Sequence, residues 1–199
     1  MNIHDFLENH NACDDGATWA LATGCSTIEE IWVREDLKFD WRMWIAVRVL
    51  EEKTLIKFST RCVREIWHIL PDDRSRNAVA AAEQYAAGNC SEENFAAASA
   101  AASEAAWSVR AAAESADSDA AWAAAFAAFA AASAAATALA KSASAVAHGA
   151  SSEARAAAEN AAAASAPRAA SGDARVAARA AAVKKQNAIL LALAPTITV

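Results

Sequence analysis

Residues Ala120 to Ala140 read AAWAAAFAAFAAASAAATALA, and no charged side chain interrupts them. Trp122, Phe126 and Phe129 recur at i, i+4 and i+7, which is one face of a helix. The other positions are almost all alanine, so the remaining faces are apolar too. A helix apolar on every side either crosses a membrane or runs through the centre of a helical bundle. Alanine gains little from lipid, and no basic cluster flanks the segment to anchor it. The stretch therefore points to a bundle centre rather than a membrane span.

Outward from this helix, cap signals divide the alanine-rich part of the chain. Glu114 to Asp119 (ESADSD) interrupts the apolar pattern and restarts it with a cap. Downstream, the central helix is expected to end near His148-Gly149. Ser151-Ser152-Glu153 should cap a further helix that Pro167 closes, and Ser171-Gly172-Asp173 a last one through about Leu193. Upstream, Asp72-Asp73 caps a helix that Gly88 stops in a left-handed turn, and Ser91-Glu92-Glu93 opens one carrying Phe95, Trp107 and Val109. Gly88, Ser91 and Glu92 share their spacing with Gly149, Ser152 and Glu153, a weak echo of a repeat-like build.

Residues 1–70 are richer in tryptophan. Short helices are expected at Asp5–His10, at Thr18 up to Gly24, and at IEEIWV behind Ser26 or Thr27. Asp40 is expected to cap WRMWIAVRVL. Thr54 should start a longer helix through Leu70, with Leu55, Phe58, Cys62, Ile66 and Ile69 inward and Lys57, Arg61, Arg64 and Glu65 off that stripe; Pro71 stops it.

The reading is an all-α chain: one domain of 199 residues forming a helical bundle of about eight to ten helices. Residues 1–70 form its tryptophan-rich part, and 71–199 its repeat-like, antiparallel alanine helices. Just under a third of the residues are alanine, with only three prolines and five glycines. Alanine helices gain little per methyl and need close axes, at about 8 Å. Trp107, Trp122, Phe126, Phe129 and Ile189-Leu190-Leu191-Leu193 should meet the large N-terminal side chains and seal the bundle. The net charge of −6 argues against a nucleic-acid groove, which needs clustered cations. The N-terminal residues are polar and the four cysteines are scattered, which fits a reduced, cytoplasmic protein.

Chemical motifs are sparse. His4, His10 and Cys13 lack the spacing of metal ligands. Cys62 and His68 fall on different sides of one helix, so Cys62 reads as core. No Gly-rich phosphate loop, GxSxG or HExxH occurs, so no catalytic residue, cofactor or metal is assigned. Asp40, Trp41 and Trp44 are either a cap with packing tryptophans or the aromatic wall of a pocket. Arg61 and Arg64, with Arg74 and Arg76 after them, could clamp a phosphate or carboxylate; alternatively they pair with glutamates such as Glu83. Glu83 and Tyr85 would be near neighbours of this group.

The order of FLENHNAC, TWAL, EEIW, DWRMW, PDDR and AEQYAAG, followed by alanine helices and QNAILLALAP, resembles the alanine-rich immunity protein family found in bacterial and phage genomes. Leu190-Leu191 departs from the charged residue expected before the terminal proline. The resemblance implies a non-catalytic protein that neutralises a toxin or defence protein by binding it directly. The alternative is a phage-encoded protein that sequesters a small nucleotide-derived immune signal between helices, using the arginines with Trp41 or Trp44. The expected partner is thus a protein or a phosphate-bearing small molecule, and an exposed alanine face would offer a homo-oligomer surface.

Overall fold

The computed structural model describes residues 2–116, 118–135, 143–166 and 170–197; of residues 143–146 and 148 only the backbone is described. The described residues are all-α, with one isolated bridge between Asn2 and Thr27. They form two compact units, Met1–Leu50 with Ala194–Val199, and Glu51–Leu193.

The first unit holds α1 (Ile3–Asn9), α2 (Asp14–Ala22), α3 (Ile28–Trp32) and α4 (Phe39–Val49). The Asn2 side chain caps α1 and Thr27 caps α3, each accepting a backbone N–H of the first turn. Asp40 does not cap α4, as the sequence reading had it. The helix begins two residues earlier, at Phe39 behind Lys38, and Asp40 lies in its first turn, where the helix dipole favours a carboxylate. Trp32 is fully buried, and its Nε1–H donates to the Ala194 carbonyl at 2.8 Å, tying the chain's last segment into this unit. Arg42 is buried too. Its guanidinium donates to the carbonyls of Trp32 and Arg34, the latter at 2.7 Å, and so gives the last carbonyl of α3 a partner.

The second unit is a bundle of α5 (Glu52–Glu65), α6 (Asp73–Ala86), α7 (Glu92–Ala116), α8 (Asp119–Ala135), α9 (Ala143–Ser165) and α10 (Ser171–Leu193). The stripe of α5 is as expected through Ile66: Leu55, Phe58, Cys62 and Ile66 are buried, while Lys57, Arg61, Arg64 and Glu65 are exposed. The helix is shorter than expected, however. It ends at Glu65, and a 3-10 turn over Trp67–Ile69 leads into Pro71, a tightening common at helix C-termini. Asp72 caps α6 by accepting the Ser75 N–H at 3.0 Å, and Gly88 follows at φ 80°.

α8 is the centre of this bundle. It packs most extensively on α7 and α9 and also touches α5 and α6. Nine of its alanines are buried, whereas Trp122, Phe126 and Phe129 are half-buried. Phe129 meets Trp107 of α7 edge-on at 5.2 Å, and Trp122 tilts against Phe126 at 6.0 Å. Ile56 and Phe95 supply the bulk within the alanine core. This arrangement has a steric reason: methyl groups allow the helix axes to close up, and rings at the same positions would hold them apart. Residues 136–140 of the quoted stretch and Pro167 lie outside the described residues.

α8 and α9 are antiparallel, since Ser133 lies against Gly149 while Phe129 and Glu153 line one cleft. α9 and α10 are antiparallel as well, with Asn160 bonded to Arg175 and Ser151 to Gln186. Gly149 does not end a helix, and Ser151-Ser152-Glu153 does not start one; all four sit inside α9. The apparent echo with Gly88 is therefore not structural. Gly88 needs its positive φ, and Gly149 has helical backbone.

Candidate functional site

The first unit contains a mostly apolar pocket of about 270 Å³. Four helices build it. Leu7 comes from α1, Trp19 and Ala20 from α2, Ile28 and Ile31 from α3, and Trp41, Trp44 and Ile45 from α4. Asn11, Cys13 and Asp40 add the polar groups. Asn11 takes the left-handed conformation (φ 51°), which short polar side chains tolerate, and so turns the chain from α1 towards α2. Gly16 leaves room for the Cys13 thiol: a Cβ there would stand 3.1 Å from Cys13 Sγ, tighter than ordinary contact, and 3.6 Å from the Trp41 indole, an ordinary contact.

The three tryptophans are held in place from outside the pocket. Trp19 and Trp41 tilt together at 5.3 Å, and Phe6 meets Trp44 edge-on at 5.7 Å. Each indole also carries a cation. Lys38 Nζ lies 4.4 Å over Trp41, Arg48 4.0 Å over Trp44 and Arg34 5.9 Å over Trp19. Arg34 is fixed in turn by a bidentate pair with Asp36, at 2.8 and 2.9 Å, which raises the pKa of the arginine and lowers that of the aspartate. Fixed rings around an open apolar space suit the capture of one hydrophobic group.

Charge is unevenly divided between the units. The first carries nine acidic and four basic side chains, a net charge of −5; the second carries fifteen and fourteen, a net charge of −1. The pocket thus belongs to the unit that holds nearly all of the net charge. Leu21, 47% exposed, and Val33, 55% exposed, lie in the same unit.

Of the residues singled out in the sequence, Asp40, Trp41 and Trp44 come together at this pocket. The others lie in the second unit, where the structure commits most of them elsewhere. Arg64 grips Glu83 with two hydrogen bonds, at 2.9 and 2.6 Å, and stacks 3.9 Å over Trp67; the pairing raises its pKa. Arg74 lies 3.7 Å from Asp72. Arg76 meets Asp73 at 3.2 Å and donates to the Leu70 carbonyl. Tyr85 stacks on Phe95 at 4.7 Å. Arg61 is exposed and makes no ion pair among the described residues. The sequence reading missed Trp19, Leu7, Ile28 and Ile31, which only the packing of four helices collects.

Cys62 is buried, and burial together with nearby Glu65 pushes its thiol far above the usual range, which disfavours the thiolate. Among the described residues no cluster of three or more His, Cys, Asp or Glu side chains could hold a metal ion, and no helix is long and apolar enough to cross a membrane. Compared with known proteins, the chain matches no family model, no curated protein and no solved structure.

Proposed function

We propose that the chain is a non-catalytic binding protein of the immunity type, which neutralises a basic protein partner, a toxin or a defence component, by direct contact. The observation that carries this reading is the tryptophan-walled pocket on the strongly acidic first unit. An apolar side chain of the partner enters between Trp19, Trp41 and Trp44. The surrounding carboxylates speed encounter with a basic surface and set its orientation. Buried aromatic anchors of this kind carry most of the energy of an interface.

The test is affinity capture from the native host or its phage with wild type, Trp41→Ala and Trp44→Ala. Wild type should retain one stoichiometric basic protein. Each variant should weaken it by about 2 kcal/mol or more, roughly thirtyfold. Failure to recover any stoichiometric partner, or equal retention by all three proteins, overturns the proposal.

Sequestration of a nucleotide-derived signal is the weaker reading. Arg64, Arg74 and Arg76 are already held by carboxylates, which leaves Arg61 as the member of that group without an ion pair among the described residues. Thermal stabilisation by nucleotides that is lost in Arg61→Ala would favour it over protein capture.

A further inference from the structure

The rings of Trp122, Phe126 and Phe129 line one side of a second cleft, of about 250 Å³, in the alanine bundle. Arg110 of α7 and Glu153 of α9 face it. We propose that this cleft is a binding site for a small organic cation, an alkyl- or arylammonium group seated on the aromatic wall against the Glu153 carboxylate. Three observations support the assignment.

The first is charge. Arg110 is neutralised by Glu114, with Nε–H donating to Oε1 at 2.9 Å. Glu153 has neither a hydrogen bond nor an ion pair among the described residues, and burial alone acts on its titration. Of the two ionisable side chains that line the cleft, Glu153 is thus the one without an ion pair among the described residues, and a monocation balances it. The second is the wall itself. Aromatic faces attract ammonium groups, most strongly where water is partly excluded, and tryptophan does so best. The rings are half-buried: they are fixed by Trp107 and by one another, yet remain open to a ligand. The third is size. The cleft is smaller than the usual range for drug-sized ligands, which suits a small amine.

Titration calorimetry on the full chain tests the assignment, with benzylamine as the probe and benzyl alcohol as its neutral counterpart. Benzylamine should bind, and benzyl alcohol at least tenfold more weakly. Glu153→Gln should lower benzylamine affinity about tenfold and leave benzyl alcohol unchanged. Trp122→Phe should retain much of the affinity that Trp122→Ala loses. Equal binding of amine and alcohol to wild type, or no binding of the amine, overturns the proposal; both comparisons use the unaltered protein and do not depend on a variant folding. Undiminished amine binding by Glu153→Gln overturns it as well.

Discussion

Replacing Ala128 with leucine should destabilise the second unit, whereas the same replacement at Ala158 should stabilise it. Ala128 is fully buried in a cluster with Ala78, Ala82, Ala102, Ala106 and Ala132. Leucine adds three carbons, and at roughly 0.8 kcal/mol each their burial would contribute about 2.4 kcal/mol if space existed. Among methyl groups already in contact it does not, so the helices must separate or the side chain must leave its rotamer. The net cost is about 1–3 kcal/mol. Ala158 instead lines a cavity of about 200 Å³ between α5, α9 and α10, together with Ala154, Ala178 and Ala182. There the same three carbons find room. Subtracting about 0.5–1 kcal/mol for leucine rotamer entropy and allowing for partial filling leaves a gain of about 1 kcal/mol. For a chain of this size, 1 kcal/mol moves Tm by about 2–4 °C. Circular dichroism melts at 222 nm should therefore place Ala128→Leu roughly 2–12 °C below wild type and Ala158→Leu about 2–4 °C above it. If Ala128→Leu melted at or above wild type, the argument that α8 is packed to methyl contact would fail.

Gly149→Ala should raise stability by about 0.5–1 kcal/mol, because alanine favours the interior of α9 and its Cβ meets only Ser133, at an ordinary 3.6 Å. Gly88→Ala should lower it by about 1 kcal/mol, because φ is 80° there; melts of the two variants that moved in the same direction would contradict this. Arg42→Lys should cost the first unit about 2–3 kcal/mol, since a point charge cannot fork to the Trp32 and Arg34 carbonyls; tryptophan fluorescence during denaturation reads the loss, and a wild-type midpoint would refute it. Burial raises the pKa of Glu153 in the folded chain, so between its unfolded and folded values the native state holds more protons, and stability falls as pH rises through that window. Glu153→Gln should therefore melt above wild type near neutral pH, with the difference closing towards about pH 4; a difference that grew on acidification would reverse the sign and refute the assignment.

Much of the architecture could be read from the chain directly. Caps at Thr27 and Asp72, the left-handed stop at Gly88 and the inward stripe of α5 depend on neighbours within a turn or two, and such signals survive any tertiary arrangement. The pocket was half legible. Trp41 and Trp44 are three residues apart on one helix, so their shared side follows from the helix period; Trp19 and Ile31 join them only because separate helices pack together. The arginine group illustrates the same limit. Its crowding was visible in the sequence, but whether Arg64 would meet a ligand or Glu83 depended on how α5 packs on α6.

By itself the sequence determined that the chain is helical, where α3, α6, α7, α8 and α10 start, and that Ala123–Ala135 belongs to an interior. Tertiary structure alone decided which side of that segment is innermost. In a helix of near-uniform alanine the hydrophobic pattern has no direction, and the recurrence of Trp122, Phe126 and Phe129 marks one face without saying whether it is the innermost. Close helix packing rewards the smallest side chain at the contact and moves the rings to the edge, where they wall a cleft beside Glu153.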